Sequence, residues 1–157
     1  MSIWWSLHLR REAASVPLAR RLLLGAMETA GVDPDISFDL SVALSEACAN
    51  AVEHGGTGEG AGDGYSGGPP GAYRVTAYLD GERCRIEVAD SGPGFSTRRV
   101  VRRHTPQAAP TAESGRGLGL IEQLADHVHF RNKPGHGAVV SFDKILKWRE
   151  DALLRAV

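Results

Sequence analysis

Three short stretches hold residues whose types and spacing can do chemistry. The first is Glu46-Ala47-Cys48-Ala49-Asn50-Ala51-Val52-Glu53-His54. On a helix, at about 100° per residue, Glu46, Asn50 and either Glu53 or His54 stack along one stripe. That stripe lies roughly 200° from the seam through Leu44, so it can face a ligand while the seam faces a core. An amide oxygen one turn from a carboxylate suits a hard cation such as magnesium with a general base beside it. A solvated helix face reads the same way when this stretch stands alone.

The second stretch, Asp90-Ser91-Gly92-Pro93-Gly94-Phe95, directly follows a run that reads as a strand. Gly92 and Gly94 let backbone approach a flat ligand with no Cβ in the way, and the Asp90 carboxylate can accept from an exocyclic amine such as that of adenine. An ordinary tight turn is the alternative. The third stretch, Ser114-Gly115-Arg116-Gly117-Leu118-Gly119-Leu120, opens a helix, where exposed amides and the positive end of the dipole make an anion site for phosphates. No strand precedes it and no acid lies about 20 residues beyond Gly115, so it is not a dinucleotide fingerprint. GxxxxGK[ST] is also absent, and the only lysines are Lys133, Lys144 and Lys147, so phosphate charge must be met by metal, amides and arginine. Arg116 is placed to pair with a phosphate, or else is a solvated loop arginine.

The elements that must position these residues follow from periodicity. Trp5, Leu7 and Leu9 alternate with polar residues, which predicts a strand at a sheet edge. Ala19, Leu22, Leu23, Ala26, Met27 and Ala30 have the spacing of an amphipathic helix that Gly31 stops. A second helix is expected from about Ile36 to His54, with Leu40, Leu44, Ala47, Cys48 and Ala51 as its apolar seam. Gly55 to Gly71 holds nine glycines plus Pro69-Pro70 and reads as a mobile surface loop. Alternation in Tyr73–Leu79 and Cys84–Val88 around Asp80-Gly81 predicts an antiparallel hairpin ending at Asp90. Phe95 to Ser114 reads as a lid, Gly117 to Ala125 as a third helix, and His127–Arg131 with Ala138–Phe142 as a last strand pair around Pro134-Gly135. A short amphipathic helix is possible at the C-terminus. Strands that come mainly as hairpins favour an α+β fold, a two-layer sandwich of a mixed, largely antiparallel sheet with helices on one face.

Composition sets the outer bounds. The 157 residues, 42% apolar, suit a single domain spanning 1–157. A net charge of −1 offers no global field for nucleic acid or an anionic membrane, and no apolar run or N-terminal leader pattern marks membrane spanning or secretion. Cys48 and Cys84 are too few for a disulfide framework or zinc site and read as buried small hydrophobes of a reduced, cytoplasmic protein. His127 and His129 share a strand face, with no third metal ligand in view.

In their order and context, the three stretches resemble the ATP-binding domain of the gyrase, heat-shock chaperone, histidine kinase and mismatch-repair (GHKL) superfamily. The resemblance covers nearly the whole chain: Glu46 to His54 looks like its N box, Asp90 to Phe95 its first glycine box and Gly115 to Leu120 its second. It implies the Bergerat-type ATP-binding fold, with ATP and Mg2+ as ligands. By resemblance, Asn50 ligates magnesium, Glu46 is the general base, and Asp90 binds adenine with Gly92 and Gly94. Gly115, Arg116, Gly117, Leu118 and Gly119 form the phosphate segment.

Within that superfamily the short chain is most similar to anti-sigma-factor serine/threonine kinases and related bacterial regulatory proteins. That implies phosphorylation of an antagonist (anti-anti-sigma) protein, sequestration of a sigma factor and assembly as a homodimer, without nucleic acid or membrane. A non-catalytic ATP-binding module that sequesters a partner is the alternative, and a simple ATPase of the gyrase or chaperone kind ranks last. The chain departs from the pattern in three places. Ala138 follows Gly137 where the superfamily often has threonine at the adenine end; the glycine-rich loop from Gly55 is long; and the lid carries Arg98, Arg99, Arg102 and Arg103, a cluster that maps onto no family motif.

Overall fold

A computed structural model describes residues 2–54, 71–90, 113–133, 137–150 and 152, without the side chains of 54, 113–117, 132 and 133. The elements run β1 (Ile3–Arg10), α1 (Ser15–Ala30), α2 (Pro34–His54), β2 (Ala72–Leu79), β3 (Arg83–Asp90), α3 (Glu113–Leu124), β4 (His127–Lys133) and β5 (Gly137–Ile145). The sheet order is β1-β2-β3-β5-β4, with β1 at one edge as expected. Every pairing among the described strands is antiparallel, where a mixed sheet was expected. The physical reason is the helix pair between β1 and β2: one helix would return the chain for a parallel crossover, whereas two bring it back running the opposite way.

Local chemistry sets the helix ends. Pro17 stands in the first turn of α1, where a missing N–H costs nothing. Gly31 ends that helix in the left-handed region, φ 90°, with its N–H and that of Val32 both reaching the Met27 carbonyl. The Asp33 carboxylate accepts from the Asp35 amide at 2.8 Å and Pro34 occupies the first helical position, so α2 starts two residues before the apolar pattern does. In the hairpin, Asp80 Oδ1 accepts from the amides of Glu82 and Arg83.

Packing then divides the sheet into two faces. Tyr73, Val75, Ala77 and Leu79 of β2, with Cys84, Ile86 and Val88 of β3, are buried and point toward the helices. The α2 seam Leu40, Leu44, Ala47, Cys48 and Ala51 is buried in the same cluster, together with Leu23 and Met27 of α1 and Leu118 and Ile121 of α3. One polar knot lies inside this core: the Tyr73 hydroxyl bonds both Ser15 Oγ and the Cys48 thiol. It links β2, α1 and α2.

One further expectation changes, at α3. Helix α3 begins at Glu113 and not near Gly117, which places Gly115 and Gly117 inside it. Glycine is a poor helix former, but a carboxylate near the N-terminus and the burial of Leu118 and Ile121 against the core favour the helix and offset that preference. Residues 55–70 of the glycine-rich stretch, 95–112 of the expected lid, the Pro134-Gly135 turn and residues 153–157, where a short helix was expected, lie outside the described residues. No described helix is long and apolar enough to cross a membrane.

Two measurements test this packing. At Gly31 an added Cβ would stand 2.6 Å from the Ala152 Cα, at a φ that L side chains avoid, so Gly31→Ala should destabilise the protein by at least about 2 kcal/mol in denaturant unfolding. Desolvation pushes the Cys48 thiol up to about 12, against an opposing hydrogen bond from Tyr73, and burial also raises Tyr73 and Cys84 above their ordinary ranges. All three are neutral when folded and ionise more readily when unfolded. Their stabilisation is therefore intact below about pH 8.5 and declines as pH rises toward the folded values. Unfolding midpoints should fall above about pH 9, and less steeply in Cys84→Ala.

Candidate functional site

The burial of the α2 seam sets which residues that helix turns elsewhere. Glu46 is half-buried and Asn50, one turn later, is 8% exposed. Asn50 Oδ1 is buried and has no hydrogen-bond partner among the described residues. Leaving such an acceptor unmet costs roughly 1–3 kcal/mol, so a natural protein retains it where a further group completes it. A buried amide oxygen with a carboxylate on the same stripe is a donor set that fits Mg2+, which takes few protein ligands and fills its octahedron with phosphate oxygens and water. Glu53 is exposed and the His54 side chain lies outside the described residues, so the end of the stripe stays open between them.

Asp90 ends β3 on the helix-facing side, in register with Tyr73 on β2. Its Oδ1 accepts a 3.2 Å bond from the Ala138 amide at the start of β5, just after Gly137 at φ 91°. Here the departure at Ala138 gains a meaning. The backbone amide, not a hydroxyl, holds the carboxylate at this end of the sheet. Gly92 and Gly94 lie outside the described residues.

Helix α3 packs against α2. Because it starts at Glu113, only Gly115 of the three second-box glycines falls among the amides that lack an intrahelical partner; Gly117 and Gly119 lie further in. Leu118 is a core residue. The Arg116 side chain is outside the described set. Gly119 is half-buried, yet a Cβ built there meets no atom within 4 Å. Packing does not demand that glycine, although a helix-interior glycine costs about 1 kcal/mol relative to alanine.

Two cations absent from the sequence reading hold the helices that carry these residues. Arg11, just past β1, donates from Nε to the Ala51 carbonyl at 3.2 Å and from Nη2 to the Val52 carbonyl at 2.6 Å. It thus satisfies the C-terminal turn of α2 next to Asn50. Lys144 of β5 donates to the Leu124 carbonyl at the end of α3 at 2.7 Å and lies 3.7 Å from Asp39 of α2. Neither partnership has a local signal, since Arg11 acts on residues 40 and 41 positions away. Elsewhere, Cys48 and Cys84 are buried free thiols, as expected. His127 Nδ1 lies 2.8 Å from Asp143 Oδ1, and no group of three or more His, Cys, Asp or Glu gathers among the described residues. The arginines at 98, 99, 102 and 103 lie outside that set.

Comparison with known proteins bears on the family and the fold. Residues 9–144 match the family model described as histidine kinase-like ATPase domain. Among solved structures, the RsbU and RsbW domains of Rv1364c from Mycobacterium tuberculosis superpose with a TM-score of 0.60 at 20% identity, over 91% of this chain and 33% of that one. The chain therefore spans about a third of that protein's structure, and the likeness is one of fold. No curated protein matches the chain.

Two substitutions probe the frame of the site. Gly119→Ala should raise the stability of the nucleotide-free protein by about 0.5–1 kcal/mol, read from denaturant midpoints, because only the helix-propensity change acts there. Arg11→Ala should cost about 2 kcal/mol and speed hydrogen exchange in the last turn of α2 more than at its middle.

Proposed function

The chain belongs to the histidine kinase-like ATPase domain family, and on that premise we propose that it binds ATP with Mg2+ and transfers the γ-phosphate to a serine or threonine of an antagonist protein. In this reading it is an anti-sigma factor that also sequesters a sigma factor, as a homodimer in the cytoplasm, with residues 1–157 acting as one domain. The observation that carries the proposal is the buried, unmet Asn50 Oδ1 one turn from Glu46. A second carboxylate, Asp90, supports it from the end of β3, steadied by the Ala138 amide.

Each residue has a distinct task. Asn50 supplies the amide oxygen for the metal, whose bound charge offsets that of the phosphates. Asp90 accepts from the adenine amine, with Gly92 and Gly94 permitting close approach. Gly115, Gly117 and Gly119 leave room for the phosphates beside Leu118, and Arg116 pairs with their charge. Because the amides of Gly117 and Gly119 lie within the helical ladder, phosphate binding through them requires the first turns of α3 to open. Glu46 takes the proton of the attacking hydroxyl as its oxygen bonds to the γ-phosphorus and the bond to the β-phosphate oxygen breaks, releasing ADP.

Isothermal calorimetry and labelled ATP test the two halves separately. Asn50→Ala should abolish magnesium-dependent ATP affinity, and unchanged affinity would remove the site. With candidate antagonist proteins present, Glu46→Ala should bind ATP but lose phosphate transfer. Nucleotide binding by the natural protein with no transfer to any antagonist would instead identify the non-catalytic sequestering module.

A further inference from the structure

The helices occupy one side of the sheet, and the other side has a chemistry of its own. Strand alternation turns Arg10, Arg74, Arg83, Arg85 and Arg131 to this outer face. Against them stand two described carboxylates, Glu87 and Asp143, leaving an excess of three positive charges on a chain whose net charge is −1. Both carboxylates are engaged, Glu87 with Arg131 at 3.8 Å and Asp143 with His127 at 2.8 Å. Arg10, Arg74 and Arg83 have no ion pair among the described residues, and Arg85 reaches only the Ser141 hydroxyl at 3.4 Å. Such crowding of like charge is unfavourable unless an anionic partner meets it.

Aromatic residues complete the surface. Trp4, 66% exposed, stands directly across from Tyr78, 39% exposed, and Tyr78 stands across from Arg85. A row of tryptophan, tyrosine and arginine on a rigid sheet combines the residue types that dominate protein-binding energy, because each gives large contact area for little ordering entropy. Beneath it, Val139 and Ser141 of β5 are buried, so the face has a packed floor.

We propose that this outer sheet face docks an acidic segment of a partner protein, its carboxylates meeting Arg74 and Arg85 and its apolar side chains meeting Trp4 and Tyr78. The surface lies on the side of the sheet away from Asp90 and the α2 seam, so docking there leaves the nucleotide site accessible. The inference stands apart from phosphate transfer. Nucleic acid fits less well: a sequence pI of 6.6 is far from that of a basic binding domain, and Glu87 and Asp143 would oppose a phosphate backbone. A second copy fits less well too, because two-fold pairing brings together two faces that each carry the same excess of three positive charges.

The full chain can be tested with a synthetic peptide of glutamates and leucines as probe, by Trp4 fluorescence and by amide chemical shifts. Binding should weaken with salt, perturb the outward residues of β1 to β3, and drop at least about tenfold in an Arg74→Gln, Arg85→Gln variant whose ATP affinity is unchanged. Trp4→Ala should weaken it further. Equal peptide binding by the arginine variant, or shifts confined to the helical side, would overturn the proposal. So would tighter binding of a single-stranded oligonucleotide or of phosphatidylglycerol vesicles, or loss of a dimer in the arginine variant by sedimentation.

Discussion

The rotation of α2 about its own axis is the constraint on which the rest of the molecule depends. Leu40, Leu44, Ala47, Cys48 and Ala51 must all be buried, and burial of side chains this size contributes roughly 1–3 kcal/mol each for the larger ones. Turning the helix to relieve Asn50 would expose that seam. The amide oxygen is therefore held where no described group meets it, and the cost of the unmet acceptor is borne by the core. Among the described residues the Ser37 hydroxyl is unmet in the same way, and it is the place of Asn50 one turn from Glu46 that ties its unmet oxygen to the proposed magnesium role.

The same logic extends to the ends of the site-bearing helices. Exposed carbonyls at a helix C-terminus invite fraying, and fraying at the end of α2 would loosen the turn that carries Asn50. Arg11 and Lys144 close those ends, one from just past β1 and the other from β5. The Ser15–Tyr73–Cys48 knot adds a polar tie between the sheet and both long helices. Rigid support of α2 contrasts with α3, where Gly115, Gly117 and Gly119 in its first two turns weaken the propensity to stay helical. Catalysis or binding that needs one fixed wall and one adjustable wall is well served by this division.

The sheet separates two kinds of chemistry. Its inner face is apolar and meets the helices; its outer face carries arginines, histidines and two exposed aromatic rings. Because side chains alternate strictly along a strand, residues of one kind can fill one face while another kind fills the other, and only a one-residue slip of register would exchange them. A nucleotide site and a protein-docking surface can thus share five strands and remain independent of one another.

Much of this was legible in the chain itself. Periods of two and 3.6 located all five strands and three helices, since one-sided burial imposes those periods wherever an element lies on a core. The three motifs in order identified the superfamily, and the family comparison agrees. Helix ends were less legible: Asp33-Pro34 started α2 ahead of its apolar pattern, and α3 starts at Glu113, ahead of the expected Gly117. Still less so was anything joining distant residues: Arg11 on the carbonyls of Ala51 and Val52, Ala138 on Asp90, and the gathering of arginines from β1, β2, β3 and β4 on one face. Periodicity and motif are properties of neighbours along the chain, so the sequence determined elements and the kinds of chemistry they carry. Which side chain meets which carbonyl, amide or charge depends on strand order and register, and only the folded molecule decides those.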